Sequence, residues 1–148
     1  MEGDRINFYA IDEPYGCFTN WSDHSLNYKG YNWQTSEHAF HAMKFEGTEH
    51  VDTVANAAGP AEAAELGRNR SLPLRKDWEE VKDRIMEEIV TAKFSQNAEL
   101  KELLLSTGDK LIVEHTVNDS YWGDAGDGSG KNMLGQILMK VRGELAGS

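Results

Sequence analysis

The sequence predicts a mainly α-helical fold with a minor β ribbon (α+β), in which residues 1–148 form a single domain. The length of 148 residues suits one domain and would be cramped for two. Helical spacing of apolar residues dominates the chain, and only three or four short segments look like strands. A doubly wound sheet would need strands and helices alternating along most of the chain, so we do not expect one.

The predicted elements follow from local residue preferences. Strands are expected over residues 6–9, 31–33 and 111–113, and helices over 36–45, 49–57 and 60–67, from Asp77 onward, from Asn97 to near Gly108, and from near Asn132. Thr35 or Ser36 can cap the first helix through a side-chain oxygen. Pro60 suits the first turn of the third helix, because that turn leaves its N–H groups unpaired in any case.

The fourth and the last predicted helices show the clearest periodicity. Asp77 opens the fourth, with Glu80 three residues later as a variant of the capping box. Each helix has one apolar face, made of Trp78, Val81, Ile85, Ile89 and Ala92 in the fourth and of Leu134, Ile137, Leu138, Val141 and Leu145 in the last. These faces are expected to form much of the core.

Composition excludes several classes of protein. Acidic residues number 25 against 15 basic ones, and the net charge of -10 argues against a broadly basic nucleic-acid-binding surface. The single cysteine, Cys17, cannot form an internal disulfide. No apolar run is long enough to span a membrane, and the polar N-terminus lacks the apolar core of a signal peptide. We therefore expect a cytoplasmic protein with no membrane partner.

Two familiar motifs are present only in part, because each lacks residues that it requires. Residues 126–132 resemble a phosphate-binding P-loop, yet Ala125 occupies the position of its first glycine and Asn132 that of its Ser or Thr. Glu37 and His41 have helical spacing for a metal site, but the third ligand would have to come from elsewhere, such as His115. We expect no metal and no cofactor.

One helical face carries an unusual set of polar residues. Glu37, His41 and Lys44 are spaced i, i+4 and i+7, which places them on one side of the helix over residues 36–45. Phe40 lies on the neighbouring face. The stripe is either an ordinary solvated surface or part of a functional site.

Two other segments favour a functional site. The loop over residues 118–132 combines aromatic, acidic and glycine residues and leads into the last helix, whose free N–H groups favour an anion. Trp122 in this loop can stack on a ring, and residues 68–76 form a basic island in an acidic protein. Together they indicate a phosphorylated ligand that carries a ring.

The sequence resembles the NADAR family, which is named for NAD and ADP-ribose. The matching segments, in the order of the family, are residues 16–21, 33–45, 77–78, 85–86, 93–94, 104–109, 113–114, 118–123 and 130–139. Two departures are visible: Thr19 stands where the family often has Ser, and His41 where it often has Gln. Neither departure removes a charged group.

The resemblance implies a mostly helical fold and hydrolysis of an N-glycosidic bond between a phosphorylated ribose and a base. Two substrate classes are associated with the family: ADP-ribose attached to guanine in nucleic acid, and phosphorylated early intermediates of riboflavin biosynthesis. Nucleic acid would then be a partner only as the modified substrate. The alternative is a non-catalytic module that binds ADP-ribose or NAD, for which the same aromatic, basic and glycine residues would serve.

The resemblance also implies roles for individual residues. Glu37 and Lys44 are the catalytic candidates, with Asp119 assisting. The substrate-binding candidates are Phe18, Asn20, Arg68, Trp78, Trp122, Gly123 and Asn132. A carboxylate can stabilise a cationic sugar or move a proton, and a lysine can form a Schiff base with the anomeric carbon. The second route needs a neutral amine, which an ordinary lysine is not at pH 7.

Overall fold

The computed structural model describes residues 5–147, which fall into two compact units. One unit spans Asp23–Gln96, and the other combines the chain up to Ser22 with the chain from Asn97 onward. The assignment of residues 1–148 to one domain stays a prediction.

The unit over Asp23–Gln96 begins with a hairpin of two strands. They are numbered β2 (Leu26–Tyr28) and β3 (Tyr31–Trp33) because strand β1 (Arg5–Phe8), in the other unit, comes earlier in the chain. Strands β2 and β3 pair antiparallel, with Leu26 opposite Trp33. Lys29 and Gly30 form the turn, and both have positive φ, as a two-residue turn of the mirror-image type requires. Four helices follow, α1 (Ser36–Met43), α2 (His50–Ala55), α3 (Pro60–Arg68) and α4 (Trp78–Gln96).

Helix α1 is the central element of this unit. It packs against α2, α3 and α4, and all eight of its residues are buried. Thr35 is its N-cap, since the Thr35 side chain accepts a hydrogen bond from the backbone N–H of His38. The first apolar positions of the predicted face of α4 are buried, whereas Ala92 at its end is only half-buried.

The other unit is built on a parallel pair of strands, β1 (Arg5–Phe8) and β4 (Leu111–Glu114). It also contains a short 3-10 turn at Gly16–Phe18 and the helices α5 (Ala98–Ser106) and α6 (Met133–Ala146). Helix α6 packs on β4 and on α5. Its apolar face is buried at Leu134, Ile137, Leu138 and Val141, and half-buried at Leu145.

The predicted fold class, α+β with a small amount of sheet, is confirmed. Within the described residues, the β structure consists of two separate pairs of strands, one parallel and one antiparallel, whereas the sequence predicted one ribbon. Strand β2 was not predicted, and every helix begins or ends within a few residues of its expected bounds. Within residues 5–147, no helix combines the length and the apolar character that crossing a membrane requires.

Candidate active site

Glu37, His41 and Lys44 form a buried polar group on α1. Their exposed fractions are 7%, 4% and 9%, so the alternative of a solvated surface stripe is wrong. The stripe faces inward because α1 has neighbours on several sides, including α3 and α4. Lys44 follows the last residue of the helix as its C-cap, and its carbonyl accepts a hydrogen bond from the backbone N–H of Arg75.

Glu37 and His41 are joined across one turn of the helix. The Nε2 of His41 lies 3.1 Å from the Oε2 of Glu37. Burial lowers the pKa of His41 below its ordinary value, although the neighbouring Glu37 carboxylate acts in the opposite direction. The imidazole is therefore neutral at pH 7, and it donates its single ring proton to the carboxylate.

Lys44 has the properties of an activated amine. Its Nζ donates a hydrogen bond of 3.3 Å to the carbonyl oxygen of Gly67 and lies 5.7 Å from the ring centres of both Phe40 and Trp78. Burial lowers the pKa of Lys44 to about 8, assisted by the positive charge of Arg70 and opposed by Glu37. The amine is then about one-tenth neutral at pH 7.

Cationic side chains surround this group at the end of α3. Arg70 is exposed and donates to the carbonyl oxygen of Gly67, the same oxygen that accepts from Lys44. Arg68, the last residue of α3, is also exposed, and its charge lowers the pKa of both His41 and Lys44. The predicted basic island thus begins beside the buried lysine, where it can attract a phosphate.

Trp78 and Phe40 form the aromatic wall of the lysine site. Their ring centres are 5.1 Å apart, with the planes tilted by 59°. Trp78 was a sequence-based candidate, and the structure places it next to Lys44. The sequence placed Phe40 only on the neighbouring face of the helix, and its contact with the ammonium group could not be read from that position.

The glycine-rich loop over residues 118–132 lies in the other compact unit. The Asp119 carboxylate accepts hydrogen bonds of 2.8 Å from the backbone N–H groups of Tyr121 and Trp122. Trp122 is half-buried, and its ring meets that of Tyr121 edge to face. These contacts explain how Asp119 shapes the loop; its catalytic role and the binding role of Trp122 stay predictions.

Gly123 and Asn132 are joined within this loop by a backbone hydrogen bond. The backbone N–H of Asn132 donates to the carbonyl of Gly123, and the Asn132 side-chain amide bonds to the backbone of Ile112 and Glu114 on β4. A Cβ at position 123 would lie 2.6 Å from a methyl group of Thr116, so close packing demands glycine there. Their role in binding a substrate stays a prediction.

Phe18 and Asn20 belong to the N-terminal part of the same unit. Phe18 is buried, and its ring packs edge to face against Phe8 with the centres 5.9 Å apart. Asn20 is buried with 8% of its surface exposed. The burial of Phe18 and its packing against Phe8 are typical of a core residue. The binding roles of Phe18 and Asn20 stay predictions.

Two residues of this site were missed by sequence reasoning. Gly67 was interpreted as the end of a helix, but α3 continues to Arg68, and Gly67 instead provides the carbonyl that binds Lys44. Arg70 was seen only as one member of a basic island. The spacing of these residues relative to Lys44 depends on how α1 packs against α3, which the sequence does not reveal.

Comparisons with known proteins identify the family of this chain. The model of the NADAR domain matches residues 7–146. The chain belongs to the NADAR family. Its relatives within the family include the N-glycosidase YbiA of Escherichia coli strain K12, which is 47% identical over 146 residues, covering 99% of this chain and 91% of that protein.

A solved structure and a longer relative extend the comparison. The NMR structure of E. coli YbiA matches this NADAR chain with a TM-score of 0.90 and 46% identity, over 99% of this chain and 87% of that one. A protein of Vibrio vulnificus named as a riboflavin biosynthesis protein is 41% identical over 140 residues, which are 95% of this chain but 38% of that protein. The predicted family is confirmed.

Proposed function

We propose that this protein is an N-glycosidase that hydrolyses the bond between a phosphorylated ribose and a base, with Glu37 and Lys44 as catalytic residues. The enzyme class is supported by the N-glycosidase relative, which is 47% identical over 99% of this chain. The observation that carries the residue assignment is the buried lysine. Lys44 lies beside a contacting pair of aromatic rings with its pKa lowered to about 8, and a buried carboxylate lies on the helix that it caps.

The chemistry that we assign to these residues is a two-step displacement. The neutral amine of Lys44 donates its lone pair to the anomeric carbon, and the C–N bond to the base breaks with its electron pair. The base takes up one proton, and the amine gives one up. The sugar ring then opens to a Schiff base, and water adds to the anomeric carbon, which returns the amine and frees the sugar.

Glu37 supports both steps through its charge and its ability to move a proton. Positive charge develops on the sugar as the bond to the base breaks, and a nearby carboxylate stabilises it. The same carboxylate can accept the proton that the amine loses. Arg68, beside Lys44, is proposed to bind a phosphate of the substrate, since a guanidinium matches phosphate geometry well.

A module that only binds ADP-ribose is the less favourable alternative. Binding alone does not require a buried amine, and burying an ammonium group is costly for folding. Lys44 is nevertheless buried, with only 9% of its surface exposed, and its Nζ donates to one backbone carbonyl. The free-energy cost of burying Lys44 has an explanation if the reaction needs a neutral amine, because burial favours the neutral form.

The substrate is proposed to come from one of two classes. One is ADP-ribose joined to guanine in nucleic acid, and the other is a phosphorylated early intermediate of riboflavin biosynthesis. Both contain a phosphorylated ribose bonded to nitrogen, so the same catalytic residues serve either. The name of the Vibrio relative favours the second class, and the net charge of -10 makes wide contact with a nucleic-acid backbone unfavourable.

The test compares the two substrates directly. Purified protein is incubated with an ADP-ribosylated guanosine oligonucleotide and with the riboflavin intermediates, and released base and sugar are followed by mass spectrometry. Release from at least one substrate is expected, with Arg84→Gln, a change at an exposed position of α4, as the active control. If the wild-type protein binds ADP-ribose in a calorimeter but releases nothing from any substrate, the enzymatic proposal is wrong.

A further inference from the structure

His41 is held between a carboxylate on one side and a glycine on the other. Its Nε2 lies 3.1 Å from the Oε2 of Glu37, and its ring meets the edge of Phe40 with the centres 5.4 Å apart. A carboxylate only accepts hydrogen bonds, so Nε2 is the nitrogen that carries the proton. Within residues 5–147, the buried Nδ1 has no hydrogen-bond partner.

Gly67 lies directly against the other side of the ring. A Cβ built on Gly67 would lie 2.6 Å from the Cγ of His41 and closer still to its Nδ1. No side chain fits there without moving the ring. Helix α3 therefore holds the imidazole against Glu37, and the ring cannot swing away while α1 and α3 remain packed.

A second histidine on the same helix shows what a purely structural role looks like. His38 is also fully buried, but both of its ring nitrogens have partners. Its Nδ1 is 2.8 Å from the Oγ1 of Thr35, and its Nε2 is 3.1 Å from the carbonyl of Ala57. His41 instead leaves one nitrogen unpaired in the interior, which is unfavourable, while it directs the other at Glu37.

We propose that His41 is a positioning residue for Glu37: its Nε2–H fixes the rotation of the Glu37 carboxylate, and Gly67 keeps the imidazole in place. This inference rests on the proposed function, because it assigns a task to His41 only if Glu37 takes part in the reaction. An apolar side chain of similar size would fill the space without an unpaired nitrogen. What the histidine supplies, and such an apolar side chain would not, is the hydrogen bond that it donates to Glu37.

Two substitutions separate the hydrogen bond from the packing. His41→Leu fills the space but donates nothing, so the carboxylate loses the hydrogen bond from His41 that orients it, and kcat is expected to fall by roughly 10- to 100-fold. KM is expected to change by less than about threefold, because the substrate contacts themselves are kept. His41→Gln places an amide N–H near the position of Nε2 and is expected to restore kcat to within about fivefold of wild type.

His38→Gln is the matched control. It changes the other buried histidine of α1, whose contacts are structural, so it is expected to lower the thermal midpoint while kcat stays near that of wild type. The proposal is overturned if His41→Leu keeps the wild-type kcat. It is also overturned if folded His41→Gln, checked by circular dichroism, is as slow as His41→Leu.

An independent measurement needs no substrate. In the folded wild-type protein, nitrogen-15 NMR of the histidine rings reports which ring nitrogen carries the proton. His41 is expected to carry its proton on Nε2 and to be unprotonated on Nδ1 at pH 7. A ring that is protonated on Nδ1 alone overturns the proposal. If the wild-type protein releases no base from either substrate, the proposed function fails, whereas the NMR result still decides whether the hydrogen bond exists.

Discussion

Removing the charge of Arg70 should change the pH at which the enzyme becomes active. Arg70 and Lys44 both donate to the carbonyl oxygen of Gly67. Two donors that share one acceptor oxygen are typically about 5 Å apart. The positive charge of Arg70 disfavours the ammonium form of Lys44 and helps to hold its pKa at about 8. Arg70→Gln removes that charge, and the pKa of Lys44 should rise.

The size of the effect follows from Coulomb's law. Two unit charges 5 Å apart interact by about 0.8 kcal/mol in water and by more in a less polar medium. Arg70 is exposed, so the value near the water limit applies, and the pKa of Lys44 should rise by about 0.5 to 1 unit. The neutral fraction of Lys44 at pH 7 then falls by about three- to tenfold.

The assay is the pH profile of kcat/KM for base release between pH 6 and pH 10. Activity should rise with pH as Lys44 loses its proton and level off above pH 9. The midpoint should move to higher pH in Arg70→Gln but stay in place in Arg70→Lys, which keeps the charge, and in Arg84→Gln, which removes a distant one. A midpoint that does not move in Arg70→Gln, or that moves to lower pH, would refute this account of Lys44.

Three further predictions concern the buried charges. Glu37→Gln should lower turnover by about 10²-fold or more in the base-release assay, because the carboxylate no longer stabilises the sugar cation or moves a proton; full activity would contradict its catalytic role. Lys44→Met should abolish release yet raise the free energy of unfolding by about 1 kcal/mol, because a buried ammonium is replaced by an apolar chain; a lower urea midpoint would count against this. Burial would raise the pKa of Asp124, but hydrogen bonds from His115 and from backbone N–H groups lower it. The Asp124 carboxylate therefore stabilises the folded protein at neutral pH, and this contribution is lost as the pH falls through the lowered pKa. Asp124→Asn should therefore cost about 2 kcal/mol at pH 7, and this cost should shrink progressively as the pH falls below 3.8, the ordinary pKa of the carboxyl. Urea denaturation measures both, and equal stability of the two proteins at pH 7 would contradict the prediction.

The helices could be predicted because their signals are local. The cap at Thr35, the proline that opens α3 and the apolar faces of α4 and α6 are all set by neighbouring residues in the chain. Strand β2 was missed because only Tyr28 of its three residues favours a strand, and Asn27 disfavours one. It forms because the Lys29–Gly30 turn brings it against β3.

The candidate site was predictable only in part. Helical spacing placed Glu37, His41 and Lys44 on one face, and the resemblance to the NADAR family assigned roles to two of them. Their burial depends on the packing of α1 against its neighbours, so a periodic pattern of polar residues was equally consistent with a solvated surface. Gly67 and Arg70 were missed for the same reason, since both meet Lys44 only through tertiary packing.

The most direct test of the central claim is to trap the covalent intermediate on Lys44. Borohydride is added while the wild-type enzyme releases base, and the protein is digested and mapped by mass spectrometry. A stable sugar adduct on Lys44, absent from Lys44→Ala, is the predicted result, because borohydride reduces a Schiff base to an amine that water cannot cleave. Normal release of base with no adduct on Lys44 would contradict the claim and leave Glu37 to carry the chemistry by activating water.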